Sequence, residues 1–248
     1  MDSRSAFEQL TRKAETSQWS IEQDIAWDER LVVPRVLPRA VYVDVVSQLY
    51  HGEVATGRMC ARMQHQMNEP AAQRCLDMQR RDEGRHADAY ARYLARLGDI
   101  APVHDAVQQA YDAALARVAR PTWTLLAYHV LLEGEALRLQ QDLARRFPCP
   151  VLRQINLRAA HDEARHVAFG KLYLRRTLPM LAAEERWAAY RWLRALWYDC
   201  ATATLDRYRV VRVVPRRVRQ DWLDARWRHQ RRALIGIGLV SEQEATRC

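Results

Sequence analysis

Residues 81–86 read RDEGRH and residues 161–166 read HDEARH. The shared spelling, Asp-Glu-x-Arg-His, recurs with a displacement of 80 positions, from 81 to 161. In each copy the Glu and the His are three apart: Glu83 with His86, and Glu163 with His166. On an α-helix residues i and i+3 share one face, one turn from each other. A carboxylate and an imidazole placed this way can ligate one metal ion together. One Glu-x-x-His is weak evidence, because both residues are ordinary in helices. Two matched copies, each inside a long helical pattern, carry more.

The displacement can be carried outward. Glu53 maps onto position 133, which is Glu133, and each lies 30 residues before its motif glutamate. Arg58 maps onto Arg138, Tyr93 onto Tyr173, Leu94 onto Leu174 and Arg96 onto Arg176. Four segments therefore supply Glu53, Glu83 with His86, Glu133, and Glu163 with His166. One Glu from each of two helices plus Glu-x-x-His from each of two others is the ligand set of dinuclear carboxylate bundles. Glu135 competes with Glu133, but two residues apart on a helix they cannot both point inward. The displacement selects Glu133, because 135 maps back to Ala55.

Proline and capping signals place these residues on helices. Residues 1–37 form an N-terminal arm, partly helical, ending in VVPRVLP. Helix A is expected from Pro38 to Met67, with VYVDVV at 41–46 read as helix. Asn68-Glu69-Pro70 starts helix B, which ends near Gly98. A connector covers about 102–119. Pro121 opens helix C, running to Phe147. After Pro148 and Pro150, helix D covers about 151–177. Two more helices are expected over about 180–210 and 216–234, and then an irregular tail. The fold class is all-α, and no segment alternates strongly enough for a sheet. The domain expectation is a single domain over 1–248: the arm at 1–37, a four-helix core at 38–177 and a helical extension at 178–248.

Composition agrees. Only 8 glycines and 9 prolines occur, and 49% of residues are hydrophobic. The five cysteines form no CxxC pair, which excludes a zinc ribbon and argues against a disulfide framework. A reducing cytoplasm is expected. The opening MDSRSAFEQLTRK lacks the apolar core of a secretory leader, and no apolar run is long enough to span a bilayer. The net charge is +9, carried almost wholly by arginine. Ten arginines fall between Arg207 and Arg232, beside Tyr208, Trp222 and Trp227. A solvated helical face explains them, or a surface for an acidic partner or anionic substrate. No nucleic-acid motif accompanies them.

On these motifs the chain resembles the ferritin-like di-iron carboxylate superfamily, over about residues 40–177. The superfamily includes ribonucleotide reductase small subunits, bacterial multicomponent monooxygenases, arylamine N-oxygenases, rubrerythrins and ferritins. The resemblance implies two metal ions, both iron or mixed with manganese, held by Glu53, Glu83, His86, Glu133, Glu163 and His166. Mixed nitrogen and oxygen donors without thiolates suit these metals. It implies an O2-dependent oxidoreductase acting on a small organic substrate, with the basic balance favouring an anionic one. Electrons would come from an external reductase, a small reductant or the substrate itself, and an acidic carrier protein is a further candidate partner. A homodimer is common among such bundles. The alternatives are a reductase-like subunit or ligand-binding Fe/Mn oxidase, and ferroxidase or iron storage.

Further residues take roles from the resemblance. Asp82 is expected to orient His166, and Asp162 to orient His86, since metal-bound histidines need such partners. Arg85 and Arg165 can pair with those aspartates, or form ordinary surface salt bridges. Tyr90, four residues after His86, matches the radical-bearing tyrosine of the reductase subunit; it can equally wall a pocket. Its counterpart in the repeat is Gly170, and a helical glycine suggests that something approaches closely there. Gly57 raises the same expectation. His129, four residues before Glu133, can be a seventh ligand, a proton relay or a lining residue of the bundle.

Overall fold

The structure is a computed structural model that describes residues 3–35 and 37–246. The described residues form helices and connecting turns, with no strand. In chain order these are α1 (Ser3–Thr16), α2 (Arg39–Gln64), α3 (Pro70–Ala95), α4 (Asp105–Leu115) and α5 (Pro121–Leu125). A π-helical segment, Leu126–Leu132, leads into α6 (Glu133–Arg146). Then come α7 (Pro150–Thr177), a 3-10 turn (Leu178–Met180), α8 (Ala183–Arg207), α9 (Arg209–Arg212), α10 (Arg216–Gly236) and α11 (Glu242–Ala245).

The punctuation is that of the sequence. Glu69 is extended at φ −101°, ψ 119°, as a residue before proline prefers, and Pro70 opens α3 where a missing N–H costs nothing. The chain leaves α3 through Gly98, whose φ of +133° suits a residue without Cβ. Two expectations are corrected. Helix C is not uniformly α-helical: its middle turns are π, and the Glu133 amide bonds to Tyr128 O, five residues back. The tail is not wholly irregular. Ser241 and Glu244 cap each other's backbone, and this box starts α11.

The chain divides into two compact units. The first joins residues 1–103 to 135–169 and so contains α1, α2, α3, most of α6 and α7 as far as Phe169. Its core includes Trp19, Tyr42, Val46, Tyr90, Tyr93, Leu143, Cys149, Leu152 and Ile155, all buried. Each such aliphatic or aromatic side chain contributes about 1.5–3 kcal/mol of transfer free energy.

The second unit joins residues 104–134 to 170–248. Several of its tryptophans pack against one another. The Trp123 and Trp192 rings lie 5.5 Å apart and those of Trp197 and Trp227 5.7 Å, with the Arg117 guanidinium 4.0 Å from the Trp192 ring. Val213 and Val218 are exposed, and so is Trp222.

Candidate metal centre

Helices α2, α3 and α7 bring Glu53, Glu83, His86, Glu163 and His166 together inside the first unit, each of them at most 5% exposed. Glu53, Glu83, His86 and Glu163 each offer one ligand atom, and those atoms lie within 4.8 Å of one another. His86 Nδ1 is 3.3 Å from Glu53 Oε2 and 3.6 Å from Glu163 Oε1. His166 Nδ1 is 3.2 Å from Glu83 Oε1 and 3.1 Å from Glu163 Oε2. The two imidazole rings stand 6.3 Å apart. Three-residue spacing on α3 and α7 puts each His one turn beyond its Glu, on the same buried face.

Behind the histidines the two aspartates cross over. His86 Nε2 lies 3.0 Å from Asp162 Oδ2, and His166 Nε2 lies 3.1 Å from Asp82 Oδ2. With each Nε2–H donated to a carboxylate, Nδ1 is left facing the glutamates. Arg85 donates to Asp82 at 2.6 Å and to Asp162 at 2.8 Å. Arg165 pairs with the same two aspartates at 3.1 and 2.7 Å. These are not surface pairs, because the two arginine side chains are only 12% and 10% exposed.

Electrostatics follow from the burial. Burial lifts the Glu53 carboxyl well above the ordinary carboxylate range, and neighbouring Glu83 pushes the same way. Burial opposes ionisation of Glu83 too, but hydrogen bonds with Glu53, His166 and His86 outweigh it and hold Glu83 well below that range. Burial likewise opposes charge on the histidines. Glu53, Asp162 and Glu163 nonetheless hold His86 well above the ordinary imidazole value, and Glu163, Asp82 and Glu83 do so for His166. Asp82 and Asp162 are lowered despite burial, chiefly by His166 and His86 respectively.

The donor set fits cations. Five buried carboxyl groups (Glu53, Asp82, Glu83, Asp162, Glu163) face two guanidiniums, so three of them have no permanent positive partner when ionised. Buried charge in such excess is costly unless a cation or protons offset it. Glu83 Oε2 is buried and has no hydrogen-bond partner. A divalent ion would take up that lone pair and replace the protons that the metal-free histidines hold.

The structure places the remaining candidates as follows. Glu133 is 3% exposed, whereas Glu135 is half-buried. Tyr90 is fully buried and donates to Asn156 Oδ1 at 2.8 Å. His129 Nε2 is 4.0 Å from Glu133 Oε1. What approaches Gly170 is the His129 side chain: a Cβ on Gly170 would stand 2.3 Å from His129 Cβ. Gly57 is different, since a Cβ there would meet Glu83 Cβ at an ordinary 3.7 Å.

Sequence reasoning missed several neighbours. Trp19 Nε1 donates to Asp162 Oδ2 at 2.9 Å, and its ring stacks on His86 at 6.2 Å. Gln18 donates to Asp82 at 3.3 Å. Gln79 donates to Glu83 and Gln140 to Glu53, both at 3.1 Å. A narrow cleft lined by Thr11, Cys75, Gln79, Asp82, Arg165 and His166 leads to the aspartate side; about 20 Å³ of it admits one water-sized molecule. No motif marks Gln18 or Trp19. The amides at 79 and 140 sit on the helix faces that carry the glutamates, so face-mapping would have found them.

No family model and no curated protein sequence matches the chain. Solved structures do. A variant R2-like ligand-binding oxidase with an anaerobically reconstituted Mn/Fe cofactor aligns at TM-score 0.73 and 16% identity, covering 92% of each chain. The fold is ferritin-like. A Synechococcus protein with aldehyde deformylating oxidase activity aligns at TM-score 0.64 and 19% identity, over 84% of this chain and 94% of that one. An R2-like ligand-binding oxidase structure with an aerobically reconstituted Mn/Fe cofactor aligns at TM-score 0.63 and 16% identity over 97% of this chain and 89% of the other. The expected all-α, ferritin-like architecture thus holds at the level of the fold. No described helix is long and apolar enough to cross a membrane.

Proposed function

We propose that the chain is an O2-activating oxidoreductase that oxidises a small organic substrate at a dinuclear centre, of two irons or of manganese and iron. The observation that carries this reading is the buried convergence of Glu53, Glu83, His86 and Glu163 on one small volume, with His166 on the same carboxylates. Glu133 joins the set as the counterpart of Glu53 under the 80-residue displacement. When bound, the metal pair supplies the redox chemistry that O2 needs. The Mn/Fe cofactor of one similar structure and the aldehyde deformylating oxidase activity of another support the class of metal and reaction.

The chain's own residues do the rest. Asp82 and Asp162 fix the histidine tautomer and ring orientation, so that Nδ1 is the ligating atom. Arg85 and Arg165 each pair with both aspartates and hold them in position behind the histidines. Gln79 and Gln140 donate to Glu83 and Glu53 and so limit how those carboxylates turn. The net charge of +9 favours an anionic substrate or an acidic partner, including an external electron donor. A cytoplasmic homodimer completes the reading.

The test is to load metal-free protein with Fe(II) under anaerobic conditions, then admit O2 and follow oxygen uptake and the visible spectrum. Uptake in proportion to bound iron, with a new visible band, is expected. Accumulation of hundreds of irons per assembly would instead establish storage. A second reading rests on Tyr90, fully buried one turn from His86 and anchored to Asn156. There Tyr90 would serve as a one-electron donor beside the bound metals, and a tyrosyl radical signal after O2 addition would identify it.

A further inference from the structure

We infer that Tyr93 and Cys149 are a self-modification site, at which the Tyr93 ring becomes joined to the Cys149 sulfur by a thioether. The inference rests on the proposed function, whose reaction with O2 supplies the oxidising power. Both side chains are fully buried in the core of the first unit. The Tyr93 hydroxyl donates to Cys149 Sγ at 3.2 Å, while Tyr42 and Tyr93 hydroxyls share a 2.5 Å hydrogen bond. Of the ring positions that carry hydrogen, the carbon ortho to the hydroxyl is the one nearest a sulfur that accepts from it. That carbon is where oxidised phenols accept sulfur.

The pair is held in place from both sides. Cys149 sits between Pro148 and Pro150, whose rings fix their own φ and restrict the backbone of the residue before each. Its carbonyl accepts the Arg153 amide at 3.0 Å in the first turn of α7. The bond from Tyr42 fixes the direction of the Tyr93 hydroxyl. A thiol is a weak acceptor, so a bond to sulfur is a poor way to satisfy a buried tyrosine if satisfaction is its only role.

The pair also lies in line with the proposed centre. His86, Tyr90 and Tyr93 follow at i, i+4 and i+7 on α3, which puts them on one face. Seven residues span about 10 Å of helix axis, a distance electrons cross readily through packed protein.

The chemistry balances with dioxygen as oxidant. The Cys149 S–H bond and the ortho C–H bond of Tyr93 break, and one S–C bond forms. Two electrons and two protons pass to O2, giving hydrogen peroxide. The Tyr93 hydroxyl is retained, and the chain ends two hydrogens lighter with one thiol fewer.

The experiment uses the full chain, loaded anaerobically with Fe(II) and then exposed to O2. Oxygen uptake is recorded, and intact mass is measured in denaturant after treatment with a thiol reductant. We expect loss of two hydrogens that the reductant does not restore, mapping to a joined pair of peptides holding Tyr93 and Cys149. Tyr93→Phe and Cys149→Ser should each take up O2 and keep their full mass. Oxygen uptake by the wild-type chain with unchanged mass would overturn the cross-link alone, as would oxygen added at Cys149 or the same mass loss in Cys149→Ser. No oxygen uptake at all would overturn both the cross-link and the function beneath it.

Discussion

Trp19 donates its indole N–H to Asp162 at 2.9 Å across 143 residues of sequence, and Asp162 in turn lies 3.0 Å from His86 Nε2. The N-terminal arm thus helps to hold the orientation of a proposed ligand on α3. Trp19→Phe keeps an aromatic ring at this position, though a smaller one, and removes the donor. Loss of a hydrogen bond to a charged group costs about 1.5–3 kcal/mol, and loss of a partner behind a metal ligand costs about 10–100-fold in metal affinity. Denaturant unfolding of the metal-free chain and a competitive Fe(II) titration read the two effects separately. Unchanged affinity would show that Asp162 needs no help from the arm.

The repeat makes a paired prediction for its own unmatched letter. Gly84 stands where the second copy has Ala164, and a Cβ on Gly84 would meet nothing within 4 Å. Gly84→Ala should stabilise α3 by about 0.5–1 kcal/mol, from helix propensity and a less flexible unfolded chain.

Gly170→Ala should do the reverse, because its Cβ would stand 2.3 Å from His129 Cβ, an atom close to its backbone. Overpacking of this kind costs about 1–3 kcal/mol or more. Chemical denaturation of both alanine variants checks the contrast, and equal stabilities would contradict it.

Alkaline titration should find several silent tyrosines. Burial pushes the Tyr42 and Tyr93 phenols upward, and burial together with Asp224 pushes Tyr198 up to about 12. Each folded value lies above the unfolded one, about 10. The neutral phenol is therefore favoured in the folded state, with no penalty below pH ~10 and falling stability as pH rises beyond it. Phenolate absorbance from these residues should appear together with unfolding, not before it. Early, non-cooperative ionisation of all ten tyrosines would show that they are accessible.

What was legible in the sequence was whatever repeats or punctuates. The 80-residue displacement reaches Glu53 and Glu133 because the two halves spell their helices in register, and it prefers Glu133, the more buried, over Glu135. Prolines 70, 121, 150 and 215 open or precede helices because an N-terminal turn tolerates them. The π turns of Leu126–Leu132 were not legible, since one extra residue per turn leaves no mark in a run of apolar side chains. Nor was the reach of Gln18 and Trp19 to the aspartates, a tertiary contact with no periodicity behind it. The Ser241–Glu244 box carries a signature, Ser-x-x-Glu, that the expectation of an irregular tail overlooks.

The central claim is a dinuclear metal centre, and metal stoichiometry tests it most directly. Metal-free protein is equilibrated anaerobically with excess Fe(II), or with Mn(II) and Fe(II) together, then desalted and assayed for metal per chain. The account predicts two ions per wild-type chain, and loss of metal in both Glu83→Ala and Glu163→Ala while helicity is retained. A wild-type chain that binds no metal, or both variants retaining the full complement, would contradict it.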